Sequence, residues 1–139
     1  MIIDSHTHIH WTLDSDLRAD YMAPGKRKGD FWGAEDLVKL MDRFGIDKSV
    51  TFPFFGDWED DYMLQNKYVA EAAEKFPDRL IPFAWLIPKH KRAVKDLETC
   101  VNELGMRGIK LGPRYDGYFA NAMGLDGKLQ FHDFYQRAA

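Results

Sequence analysis

Ile2-Ile3-Asp4-Ser5-His6-Thr7-His8 opens the chain as an apolar run that turns, within one strand's length, into residue types that bind metals. In an extended strand, residues two apart project from the same face, so Asp4, His6 and His8 point together. Two imidazoles side by side at the end of a buried strand can hold one metal ion through their ring nitrogens. The opening therefore predicts a strand over residues 2–8 with a site at its carboxyl end.

Outward from that strand, helices and strands alternate. Residues 9–33 form a long connection rich in aromatics (Trp11, Tyr21, Phe31, Trp32), of a length that goes with function or with a helix of its own, here over 14–22. A helix over 34–44 puts Leu37, Leu40, Met41 and Phe44 on one face and is stopped by Gly45. A second strand follows over 48–52, closed by Pro53. An acidic loop (Asp57, Glu59, Asp60, Asp61) then precedes a helix over 62–76 with a stripe of Leu64, Tyr68, Ala72 and Phe76. Residues 80–86 read as a third strand, apolar enough to be covered on both faces. A third helix over 91–104 turns Val94, Leu97, Val101 and Leu104 inward, with Gly105 as its cap, and 108–111 is the fourth strand. Four strands with helical crossovers, about 30 residues apart, are parallel βα units. No repeat, low-complexity tract or linker divides the 139 residues, so 1–139 is read as one domain.

Phe131, Phe134, Tyr135 and Ala138 begin a last apolar helical face that runs for about nine residues without a stop signal. Four βα units are half of an eight-unit TIM barrel, whose usual length is about 250 residues. A four-stranded half-sheet leaves unpaired edges and an apolar lumen facing water. The expectation is the N-terminal half of a (β/α)8 barrel, truncated within its fourth helix. The alternatives are a complete small α/β domain and a half-barrel that closes by self-association, so a homo-oligomer stays open.

Composition narrows the class. A hydrophobic share of 45% suffices for a sizeable core, and a net charge of -3 points to neither a nucleic-acid nor a membrane partner. The one basic run, Pro24-Gly25-Lys26-Arg27-Lys28-Gly29, sits among turn formers and reads as a solvated loop. Cys100 is alone, which forbids an internal disulfide and fits a reducing compartment. No apolar run approaches the roughly 20 residues of a membrane span, and no signal peptide is evident. The expected location is cytoplasmic.

Three collinear blocks resemble the amidohydrolase-related family that includes aminocarboxymuconate semialdehyde decarboxylase. They are Ile3-Asp4-Ser5-His6-Thr7-His8; Asn66-Lys67-Tyr68-Val69 through Phe76-Pro77-Asp78-Arg79-Leu80 to Leu86-Ile87-Pro88; and Glu103-Leu104-Gly105-Met106-Arg107-Gly108-Ile109-Lys110-Leu111. The resemblance implies a (β/α)8 barrel with a divalent metal at its carboxyl-terminal mouth, usually Zn2+, with Mn2+, Co2+ or Fe2+ as other candidates. It implies His6 and His8 as metal ligands, joined in the family by a His from the fifth strand and an Asp from the eighth, with a catalytic His on the sixth. Those later positions lie beyond this sequence. In a complete barrel the ion lowers the pKa of bound water to about 7, producing a nucleophile near neutral pH.

Other residues carry weaker signals. Asp4 shares the parity of the histidines but lies one layer deeper and is read as a structural hydrogen-bonding group. His10 continues the parity and lines the mouth or meets solvent. If Ile109 and Leu111 face the helices, Lys110 points into the barrel, where an unpaired ammonium is costly, so it should meet a carboxylate, a substrate or a site group. Arg114 follows the fourth strand, and its planar fork suits a substrate carboxylate. Trp11 and Trp32 could wall an aromatic pocket. His90, Cys100, His132 and the run Tyr115-Asp116-Gly117-Tyr118 receive no role.

The leading expectation is a metal-dependent hydrolase or nonoxidative decarboxylase acting on a small carboxylated ring or lactone through a metal-activated water. The competing ones are an inactive fragment or a half-barrel that needs a partner chain, and, lower, a TatD-like deoxyribonuclease. The last opens with the same His-x-His, but its fourth strand resembles Gly-Glu-x-Gly-Leu where this chain has Gly108-Ile109-Lys110-Leu111.

Overall fold

A computed structural model describes residues 1–9, 33–54 and 62–139. The expectations for the 14–22 helix, the basic run, the acidic loop, His10, Trp11 and Trp32 fall outside the described residues. Strands β1 (Ile3–Ile9), β2 (Lys48–Pro53), β3 (Leu80–Trp85) and β4 (Gly108–Lys110) form one parallel sheet in the order β1-β2-β3-β4. Between them run helices α1 (Ala34–Phe44), α2 (Tyr62–Lys75) and α3 (Ala93–Asn102). After β4 come the single turn α4 (Pro113–Asp116) and α5 (His132–Ala138). No described helix is long and apolar enough to cross a membrane.

The pairing register fixes which side chains share a face. Phe83 lies opposite Gly108 and Trp85 opposite Lys110 in the β3–β4 pair, while Thr7 meets Thr51 and His8 meets Phe52 in the β1–β2 pair. One face of the sheet packs on the helices: Ser49, Thr51 and Ala84 are fully buried there, with Leu80 nearly so. Met41, Val69, Leu97 and Cys100 belong to the same buried core, which Ile109 and Leu111 join as partly buried neighbours. The other face carries His8, Phe52, Phe83 and Lys110. On β3, Ile81 and Phe83 of this face are half-buried, which departs from a strand covered on both sides, whereas Trp85 at its end is buried.

The helix stripes are rotated from those read in the sequence. α2 buries Tyr62, Gln65, Asn66, Val69, Ala72 and Ala73, and α3 buries Ala93, Asp96, Leu97 and Cys100. Leu64, Val94 and Val101 are exposed instead. Asn66 and Asp96 tolerate their buried positions because their polar groups are bonded. The Asn66 amide donates to the Trp85 carbonyl and accepts from the Trp85 N–H, both at 2.8 Å. Asp96 accepts from the Tyr62 hydroxyl. Phe44, expected inward, is exposed at the end of α1, where the Arg43 guanidinium lies 5.5 Å from its ring centre. Gly45 stops α1 as expected, at φ +69° with its N–H turned back to Met41 and Asp42 carbonyls.

Candidate metal centre

β1 does not alternate evenly against β2. Asp4 pairs with Ser49 but Thr7 pairs with Thr51, so β1 takes one residue more than its neighbour across the Ser5–His6 step. Such a bulge re-aims side chains and frees a backbone group from the ladder. The His6 N–H is accepted by the Asp4 carboxylate at 3.0 Å. Asp4 therefore has the structural hydrogen-bonding part expected of it, on the backbone of a candidate ligand. The bulge also puts Asp4 in register with Ser49 on the helix-facing side, not with the histidines as strand parity predicts. On that side the Thr7 hydroxyl donates to the Val50 carbonyl at 3.0 Å and locks β1 to β2 between the two histidines.

His6 and His8 come together on the open face. Their Nε2 atoms are 3.0 Å apart and their ring centres 5.0 Å apart. Metal–nitrogen bonds of about 2.0–2.1 Å leave two ligating nitrogens roughly 3 Å from one another when both hold the same ion. His8 Nδ1 lies 2.7 Å from the Pro53 carbonyl. A carbonyl only accepts, so Nδ1 carries the proton and Nε2 of the neutral ring is left with its lone pair. Metal-bound histidines are commonly oriented by a second partner of this kind. Burial lowers the His8 pKa; the Pro53 bond opposes this, and nearby His6 and Lys110 add to it. His8 is thus neutral at neutral pH, the form that ligates a cation. The donor set fits a divalent ion. It is also partial, because no group of three or more His, Cys, Asp or Glu side chains is placed to hold a metal among the described residues.

An aromatic floor lies beside the imidazoles. The Phe52 ring is 5.2 Å from His6 and 5.5 Å from His8, Phe83 meets Phe52 edge-on at 5.5 Å, and Phe54 meets His8 at 6.3 Å. Gly108 and Gly112 make room for this floor: a methyl group on the first would overlap the Phe83 ring, and one on the second the Trp85 ring. Lys110 points into the concave face as its parity required, with Nζ 5.3 Å from the centre of the Phe52 ring. Arg114 is exposed on α4 and has no ion-pair partner among the described residues. His90 lies instead against Tyr62 and Asp96, and His132 begins α5; neither approaches the imidazole pair. Sequence reasoning missed the wall of Phe52, Phe83 and Trp85. Strand parity could have found it, since Ser49 and Thr51 facing the helices force Phe52 to the opposite side.

The sequence model of a family described as Amidohydrolase matches residues 3–139. Three solved structures share the fold. One is 5-carboxyvanillate decarboxylase from Novosphingobium aromaticivorans DSM 12444, with bound manganese (TM-score 0.66, 19% identity, 99% of this chain and 47% of that one). Another is 2,6-dihydroxybenzoate decarboxylase from Rhizobium (0.58, 20%, 98% and 46%). The third is a probable 2-pyrone-4,6-dicarboxylic acid hydrolase from Acinetobacter baumannii with citric acid bound (0.60, 16%, 99% and 45%). The four parallel βα units are those of the N-terminal half of a TIM barrel, and the chain spans less than half the length of each of these proteins.

Proposed function

The chain belongs to the amidohydrolase family, and from that premise we propose that it carries the metal-holding, aromatic side of an active site for small carboxylated rings or lactones, serving hydrolysis or nonoxidative decarboxylation. The observation that carries this reading is the convergence of the His6 and His8 Nε2 atoms at 3.0 Å, with His8 Nδ1 tied to the Pro53 carbonyl. His6 and His8 would hold the ion. Zinc suits imidazole ligands and manganese is bound in one relative. When bound, such an ion supplies Lewis acidity, which polarises carbonyl oxygens and acidifies water. Asp4 sets the backbone that carries His6, and Pro53 fixes the tautomer of His8. Phe52, Phe83 and Trp85 back this face with apolar rings, which exclude water beside the imidazoles. Two imidazoles leave a four-coordinate ion incomplete, so further ligands come from beyond the described residues.

The test is a Mn2+ titration followed by NMR of the histidine ring protons. The His6 and His8 signals should broaden before those of His90 and His132. The double variant His6→Ala/His8→Ala should weaken Mn2+ affinity by more than ~100-fold, beyond what losing a supporting partner costs. Unchanged affinity in that variant would sink the assignment. Assays with 5-carboxyvanillate, 2,6-dihydroxybenzoate and 2-pyrone-4,6-dicarboxylate then separate decarboxylase from hydrolase. Metal binding without turnover of any of them would favour the reading in which this chain holds one part of a site and needs a partner.

A further inference from the structure

Lys110 is the one cation on the floor of the concave face among the described residues, and its surroundings are aromatic rather than acidic. It is half-buried at the end of β4, and its Nζ stands 5.3 Å from the centre of the Phe52 ring, the same ring that lies within 5.2–5.5 Å of His6 and His8. No carboxylate lies within 4.0 Å of it among the described residues. Beside it in register is Trp85, whose indole fills the space left by Gly112. Contact with a ring face recovers only part of what an ammonium loses on leaving water. The remainder calls for an anion, and the open side of the floor is where one can arrive. An anion there would lie next to the two imidazoles, of which His6 is exposed and His8 half-buried.

We propose that Lys110 is the carboxylate-receiving residue of this face, its ammonium binding the ring carboxylate of a planar aromatic acid seated beside the exposed His6 ring and the half-buried His8 ring. This rests on the reading above only in taking the His6–His8 face as the site; it does not require an ion to be present. A lysine suits the task because its compact charge reaches an oxygen without the planar fork that an arginine must align. The residue decides specificity rather than chemistry, since it selects substrates by their charge.

Benzoate is the probe, titrated against the full chain in EDTA so that metal binding plays no part, with benzamide as the neutral isostere. In the wild-type chain, intermolecular NOEs are expected from benzoate ring protons to the Lys110 ε-methylene; saturating benzoate with no such NOE overturns the proposal whether or not any variant folds. Lys110→Gln should weaken benzoate by about 10- to 100-fold while leaving the weaker benzamide binding unchanged. Lys110→Arg, which keeps the charge but must align a planar fork, should recover part of the benzoate affinity that Lys110→Gln loses. If Lys110→Gln lowers the melting temperature and leaves benzoate affinity intact, the residue is a structural cation and the proposal fails. Because these titrations are free of metal, they fail or succeed independently of the Mn2+ result at His6 and His8.

Discussion

The two faces of the sheet are built from the same strands and obey opposite rules. On the helix side, Ser49, Thr51, Ala84 and Cys100 are fully buried, the Asn66 amide is bonded at both ends, and burial pushes the Cys100 thiol up to about 12. On the concave side, His6 is exposed, His8, Phe83 and Lys110 are half-buried, and the two imidazoles converge on one another, with His8 also tied to the Pro53 carbonyl. The two-residue period of a strand makes this division possible: alternate side chains go to stability and to chemistry without competing. In barrels the conserved division runs along the strand as well, with reactive groups at the carboxyl ends, which is where His8 and Lys110 sit. Substitutions on the two faces should therefore separate cleanly, folding from binding.

The largest effect is expected at Asn66. Asn66→Ala removes both partners of the Trp85 peptide and strands a buried N–H and carbonyl, a loss of about 3 kcal/mol. Urea denaturation measures it directly. The folded fraction should bind Mn2+ as the parent does. A variant of parental stability that lost Mn2+ affinity would show that the helix face shapes the site directly, and the division would not hold.

Gly108→Ala tests the seam between the faces. Its methyl group would overlap the Phe83 ring, which leans edge-on against Phe52 at 5.5 Å. Crowding of this kind costs about 1–3 kcal/mol, less than the Asn66 change if the ring can swing away. The displaced ring should carry Phe52 with it, so the His8 ring signals should shift in NMR spectra. Stability loss with an unmoved His8 would confine Gly108 to packing.

Much of this arrangement was legible in the sequence, and the parts that were not share a cause. α1 falls on the residues its spacing predicts, the strands match to within a residue or so at each end, and the shared face of His6 and His8 follows from parity. Lys110 was placed by the same rule, from Ile109 and Leu111 facing the helices. Parity failed to disclose the bulge at Ser5–His6, since a bulge is a mismatch between two strands and neither strand alone encodes it. Hydrophobic spacing also misjudged α2 and α3. It counted Leu64 and Val94 as inward and passed over Asn66 and Asp96, whose burial is made tolerable by Trp85 and Tyr62, partners far away in the chain. Long-range pairing is invisible to a periodicity.

The smallest effect should arise on neither face, at the Glu35–Lys75 pair on the outer surface of α1 and α2. Lys75 donates to the Glu35 carboxylate and thereby holds its pKa below the ordinary value, with a backbone hydrogen bond assisting and burial opposing. A carboxylate depressed in this way stabilises the fold fully above the unfolded pKa of about 4.3, and the contribution fades as the pH falls through the lower folded value. Glu35→Gln should therefore cost something at pH 7 and nothing once both states are protonated. With the two side chains 61% and 45% exposed, solvent screening limits the loss to about 0.5 kcal/mol or less, a melting shift of roughly 1–3 °C. Raising the salt to about 1 M, where the screening length is about 3 Å, should erase it. A salt-resistant loss approaching that of Asn66→Ala would mean that the outer surface bears folding weight, and the contrast between a sealed face and an open one would no longer account for where the stability resides.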